Sequence, residues 1–196
     1  MNERHYGSLT GLNKEETKKT IGEEQFKKYR RSWDIPPPPM AENDKNHSLF
    51  SPLNPSIPVG MIPFTESLKD TYKRVIPYYE KEIQKNIKEN KNVLISAHGN
   101  SLRSLCKYLF KISDQKINEL EIPTGNPLII EFDNNLEIEK YYYLDETRAK
   151  TIIFNQYYLN LIICRTFFLY LSDKTFAYSH FQLKNFSQLN SPKSCS

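Results

Sequence analysis

The chain is expected to fold as an α/β domain, a central sheet flanked by helices, and three observations predict it. Val93-Leu94-Ile95 is an apolar run too short for a helix. Directly after it, Leu102, Leu105, Cys106, Leu109 and Phe110 recur at the spacing of a helix with one apolar face. Further on, Leu128 to Phe132 and Leu136 to Leu144 flank the polar turn Asp133-Asn134-Asn135, which reads as two strands. With 196 residues, 38% hydrophobic and 26% charged, the chain is long enough for one domain with a real core.

The first residues, Asn2-Glu3-Arg4-His5-Tyr6-Gly7-Ser8-Leu9-Thr10-Gly11-Leu12-Asn13-Lys14, form a polar loop that carries acid, base and phenol ahead of any apolar element. On position alone such a stretch is a disordered terminus. Asn13 followed by Glu16 is a helix-start signature, and Gly22 marks where that helix stops. Phe26, Tyr29 and Trp33 give the next helix one apolar stripe, beside which Arg30 and Arg31 project. By themselves, paired arginines on a helix read as a solvated basic face.

Residues 34–64 hold eight prolines and little periodic apolar content, so they form a long loop of the kind that covers a site or stays partly disordered. From about Thr65 a helix is expected, with Leu68, Tyr72, Val75, Ile76, Tyr79, Ile83 and Ile87 on one side and Pro77 interrupting it. The strand at Val93 to Ile95 then leads through His98, Gly99 and Asn100 into the central helix. In an open α/β sheet, ligands bind beyond the carboxyl ends of the strands, where a helix start presents free N–H groups to anions. His98 stands where a phosphate would sit, although a histidine at a strand end is also a common hydrogen-bonded structural residue. Ile122-Pro123-Thr124-Gly125-Asn126-Pro127 is the turn before the last two strands.

Charge and cysteine usage narrow the function classes. The net charge is +4, but residues 1–150 carry 23 Lys/Arg against 22 Asp/Glu, which argues against a nucleic-acid surface. Cys106, Cys164 and Cys195 are widely spaced, odd in number and without a metal-ligand pattern. They fit a reducing compartment, no structural metal is expected, and the N-terminus lacks the apolar core of a signal peptide. A cytoplasmic protein is the expectation.

Five segments carry a resemblance. Ala97-His98-Gly99-Asn100-Ser101-Leu102-Arg103 resembles the second histidine segment of the cofactor-dependent phosphoglycerate mutases, a family of the histidine phosphatase superfamily. Glu3-Arg4-His5-Tyr6-Gly7 with Gly11-Leu12-Asn13-Lys14 resembles their active-site block. Glu24-Gln25 with Arg30-Arg31-Ser32, Asp34 and Pro36-Pro37-Pro38 is similar to their paired-arginine segment. Ile122-Pro123-Thr124-Gly125 and Tyr142-Tyr143-Leu144 follow in the same order, so the similarity runs from residue 2 to about residue 145.

The resemblance implies a phosphoglycerate mutase-like sandwich over residues 1–150, lacking the family's first strand. It implies a glycolytic enzyme that interconverts 3-phosphoglycerate and 2-phosphoglycerate through a phosphohistidine, primed by 2,3-bisphosphoglycerate and needing no metal. Small phosphorylated three-carbon acids would be the partners, with a homo-oligomer as in the family. Carried over residue by residue, Glu3 is the general acid/base at the substrate hydroxyl and His98 stabilises the transferring phosphoryl. Arg4, His5, Tyr6, Lys14, Arg30 and Arg31 contact substrate, and Gly99 and Asn100 supply backbone and amide contacts. The family's nucleophile belongs to an Arg-His-Gly-Glu segment that does not occur in these 196 residues. Arg4-His5-Tyr6-Gly7 is no substitute, because a tyrosine interrupts the motif and its neighbours match the other block. Two alternatives are a phosphatase that releases phosphate to water and a non-catalytic anion-binding fragment.

Residues 151–196 depart from the family. They hold ten aromatic residues, five charged ones and no glycine, a composition typical of translated A/T-rich non-coding DNA. The expectation is an aberrant tail from an incorrect gene model or altered splicing, disordered or loosely helical. Its apolar run is broken by Asn155, Gln156, Asn160 and Arg165, which argues against a membrane span.

Overall fold

The computed structural model describes residues 1–44, 46 and 62–149, together with the backbone of residues 166–171. Most of the proline-rich loop and most of residues 151–196 lie outside the described residues.

Local signals set the first helices. α1 (Lys14–Ile21) starts where the Asn13 side chain accepts from the amides of Glu15 and Glu16. It ends at Gly22, whose φ of 85° suits a residue without Cβ. α2 (Glu23–Arg31) stops two residues short of Trp33, so Trp33 is not part of its stripe. The Trp33 carbonyl instead accepts from Lys69, and its ring packs edge-on against Tyr72 at 5.4 Å.

α3 (Leu68–Tyr78) opens with a capping box between Ser67 and Asp70. Pro77, near its end, has no N–H to donate, and the next turn, Tyr79–Ile83, widens to a π-helix before α4 (Gln84–Lys88). Two successive four-residue steps, Tyr79 to Ile83 to Ile87, overrun a 3.6-residue period. The wider turn absorbs the excess and keeps both Tyr79 and Ile87 buried.

β1 (Val93–Ala97) leads through His98 into α5 (Gly99–Leu109), and β2 (Leu128–Phe132) pairs antiparallel with β3 (Ile138–Tyr143). The core lies between α3, α5 and the sheet, built on Leu68, Val75, Leu102, Leu105, Leu128 and Ile130. α5 departs from a simple amphipathic helix: Asn100, Ser101, Arg103 and Ser104 are buried together with Leu102 and Leu105.

β4 (Thr166–Leu171), within the stretch for which a disordered or loosely helical tail is the expectation, is an extended strand in the sheet order β1-β4-β2-β3. It runs parallel to β1, with Ala97 opposite Leu171, and antiparallel to β2, with Leu128 opposite Leu169. The physical reason is pairing: β1 and the open side of β2 both present backbone N–H and C=O groups that a strand between them satisfies. Among the described residues no helix is long and apolar enough to cross a membrane.

Candidate active site

The loop of residues 2–8 is ordered by partners from across the fold. Arg74 donates to the carbonyls of Asn2 and Glu3 at 3.1 and 3.0 Å, and the Ser101 hydroxyl also donates to the Asn2 carbonyl. The His5 amide donates to Glu66 at 2.8 Å, while the Glu66 amide donates back to the His5 carbonyl at 2.9 Å. Glu66 is itself ion-paired to Arg74 at 2.6 Å. Gly7 has φ of 56°, and a Cβ there would overlap the Pro38 carbonyl oxygen that accepts from Ser8. The loop is a clamped wall and not a disordered terminus.

Its side chains converge on the start of α5. The Glu3 carboxylate accepts from its neighbouring Arg4 amide at 2.7 Å and from the Asn100 amide nitrogen at 2.8 Å. That nitrogen also donates to the Tyr6 hydroxyl at 2.8 Å. Arg4, 2% exposed, donates to the Tyr29 and Arg30 carbonyls at the end of α2, where a cation meets the negative pole of the helix. The Tyr6 ring lies between two guanidinium groups, Arg4 at 4.6 Å and Arg30 at 4.9 Å from its centroid. Arg31 is half-exposed and pairs with Glu121 at 2.8 Å.

Arg103 completes a group of four arginines. Burial, then the charges of Arg31 and Arg4, hold its guanidinium down to about 10, with Tyr6 and Glu3 opposing. It therefore stays charged at neutral pH. Arg4 Nε and Nη1 and Arg103 Nε are buried without a hydrogen-bond partner among the described residues. A surplus of buried, unsatisfied donors around one carboxylate is suited to anions.

His98, the N-cap of α5, is exposed and its side chain makes no cap hydrogen bond. Gly99 opens the first turn of α5, whose N–H groups face the same end of the sheet. Lys14 is exposed at the start of α1. Glu3, Arg4, Tyr6, Arg30 and Asn100 are thus brought together by direct contacts, with His5, Arg31, His98 and Gly99 on the same elements. Sequence reasoning missed Glu66, Arg74 and Arg103. The first two carry no local pattern, and Arg103 stands at the edge of the apolar stripe of α5, where helical spacing does not separate a buried polar residue from an exposed one. Among the described residues no group of three His, Cys, Asp or Glu side chains is placed to hold a metal ion.

The family model for the histidine phosphatase superfamily, branch 1, matches residues 1–142. The chain belongs to this superfamily. Among curated histidine phosphatases, it is 55% identical over 153 residues to a 2,3-bisphosphoglycerate-dependent phosphoglycerate mutase of Pelagibacter ubique, covering 78% of this chain and 64% of that protein. It is 49% identical over 144 residues to the enzyme of the same name from Nautilia profundicola, covering 74% and 63%. With the Borreliella afzelii enzyme of that name the identity is 50% over 151 residues, covering 76% and 61%. The chain thus spans less than two thirds of the length of each of these relatives.

Proposed function

We propose that this chain carries the substrate-binding and acid/base half of a phosphoglycerate mutase site, acting on 3-phosphoglycerate and 2-phosphoglycerate in glycolysis in the cytoplasm. The observation that carries the reading is the Glu3 carboxylate, fixed by Asn100 and surrounded by Arg4, Arg30, Arg31 and Arg103. A bare cationic pocket would bind phosphorylated acids; one carboxylate held inside it adds a group that can exchange a proton with the substrate hydroxyl.

Arg4, Arg30 and Arg31 would also hold 2,3-bisphosphoglycerate by its charged groups. When bound, that compound supplies the phosphoryl group that primes the enzyme. In a site completed by a phosphohistidine, Glu3 would take the proton from the substrate hydroxyl as its oxygen bonds to phosphorus and the phosphorus–imidazole bond breaks, and in the reverse half-reaction it would return the proton to the oxygen that leaves. His98 and the first-turn N–H groups of α5 sit where positive charge offsets the transferring phosphoryl, and the arginines neutralise the substrate throughout. His5 and Tyr6 shape the wall that orients the substrate, with Lys14 at its rim. No step calls on a metal.

The phosphoryl-accepting histidine of an Arg-His-Gly-Glu segment is not among these residues, so binding without turnover is the expectation for this chain alone. Calorimetry should show 3-phosphoglycerate bound, with Arg30→Ala weakening it. Incubation with radiolabelled 2,3-bisphosphoglycerate should leave no acid-labile label. Adding a strand ending in Arg-His-Gly-Glu should give mutase activity that Glu3→Gln lowers by roughly a hundredfold to ten-thousandfold, mainly in kcat. Release of inorganic phosphate without mutase exchange would favour a phosphatase instead. Full activity with both Glu3→Gln and His98→Ala would overturn the residue roles.

A further inference from the structure

Arg103 touches neither Glu3 nor Tyr6 by hydrogen bond, yet its geometry decides how both are held. Its Nη1 donates to the Asn100 side-chain oxygen Oδ1 at 3.2 Å, and its Nη2 donates to the Ile117 backbone carbonyl in the short 3₁₀ turn Lys116–Glu119. Both Arg103 and Asn100 are almost fully buried, 4% and 5% exposed, so water does not compete for these contacts.

We propose that Arg103 is a positioning residue that fixes the orientation of the Asn100 amide and, through it, sets the Glu3 carboxylate and makes the Tyr6 hydroxyl a hydrogen-bond donor toward a bound anion. A guanidinium only donates, so it forces the Asn100 oxygen toward itself. The amide nitrogen is then turned to the other side, where its two protons meet Glu3 at 2.8 Å and Tyr6 at 2.8 Å. An ionised carboxylate only accepts, so the far end demands the same orientation. A flipped amide would set oxygen against carboxylate and N–H against guanidinium, two repulsive contacts in a buried site where such mismatches are costly.

The consequence reaches the ligand. Because Tyr6 accepts from Asn100, its own O–H proton remains available, and no acceptor for it is found among the described residues. Were the amide reversed, the phenol would donate to Asn100 and present only lone pairs to an anion. A buried arginine two contacts away thus selects the hydroxyl's polarity. This step rests on the anion-binding reading of the site given above.

The test has two arms. In the ligand-free protein, nuclear magnetic resonance should show the Asn100 side-chain amide protons protected from solvent exchange, and Arg103→Met should remove that protection. Arg103→Lys, which keeps charge and most of the stem but not the planar fork, should do the same if Arg103→Met fails to fold. In the second arm, affinity for 3-phosphoglycerate should fall about tenfold with Arg103→Met in the wild-type background and less than about twofold in an Asn100→Ala background. Such non-additivity marks residues that act as one unit. An equal loss in both backgrounds, or unchanged Asn100 protection in the variants, would overturn the proposal. If the wild-type chain fails to bind 3-phosphoglycerate while Asn100 still responds to Arg103, the functional reading falls and the positioning role stands.

Discussion

At the scale of single residues, the interior is built from groups that resist ionisation. Burial pushes the Cys106 thiol up to about 12, against a weaker opposing effect of Arg103. A hydrogen bond to Glu80 and then burial raise Tyr108 to about 12, while burial raises Tyr79 and Tyr143 further. Each keeps its proton in the fold after the unfolded chain has lost it, so the unfolded state binds fewer protons and stability falls as pH rises. Their contribution is complete below the ordinary thiol value of 9.0 and is lost on the way to about 12. Arg103 acts in the opposite sense only above about 10. The denaturant midpoint should therefore hold to about pH 8 and fall between about pH 9 and 10, with a shallower fall for Cys106→Ala. A midpoint independent of pH across that window would contradict the burial of the thiol and phenols. At this scale the motifs made Glu3, Tyr6, Asn100 and His98 legible, since each lies in a short run with its neighbours. Glu66 and Arg74 were not, because an ion pair that fixes a loop 60 residues away leaves no local trace. Arg103 was hidden by a helical period that distinguishes apolar from polar but not buried polar from exposed polar.

Among the elements, α3 shows how much a start signal decides. The Ser67 hydroxyl accepts from the Asp70 amide at 3.1 Å and donates to the Asp70 carboxylate at 2.6 Å, which also accepts from the Ser67 amide at 3.1 Å. Partial burial alone would raise Asp70, but these hydrogen bonds and the Lys73 charge outweigh it and hold the carboxyl below its ordinary 3.8. A depressed carboxyl stabilises the fold above its unfolded value and ceases to do so as pH falls through the folded one. Ser67→Ala should cost about 1 kcal/mol at neutral pH and move acid unfolding to a higher pH, both read from denaturation curves; an unchanged acid midpoint would refute the cap's part in it. A start signal and a stop made α1 readable from the chain, whereas α3 and the β1–α5 junction were readable from apolar spacing. The π-turn could not, because one extra residue in a helical turn changes no residue type; only Pro77 and the four-residue steps after it hint at the widening. Trp33 misled the reading of α2 for a related reason: a ring at helical spacing packs as well from beyond a helix end as from within it.

For the whole molecule, the decisive feature is the place of β4. In the order β1-β4-β2-β3, that strand alone joins β1 to β2 and β3. Removing residues 150–196 should leave β1 without a neighbour among the described strands, abolish the single cooperative melt and expose apolar surface to a dye such as ANS; a truncated chain that melts like the full one would show β4 to be dispensable. Composition gave no sign of this, because an aromatic, glycine-free stretch is equally an irregular tail or a strand, and only the open flanks of β1 and β2 decide between them. The α/β class and the helix that presents Asn100 were readable because they rest on periodicity within a few turns, whereas the strand order rests on pairing at a distance. Val93 pairs with Phe167, 74 positions further along the chain. At roughly 5–20 residues per second, a ribosome needs about one to six seconds to extend the chain from Tyr143 to Leu171. For that interval a nascent chain has every other described strand of the sheet and still lacks the one between β1 and β2, so the order of synthesis limits when the described sheet can close.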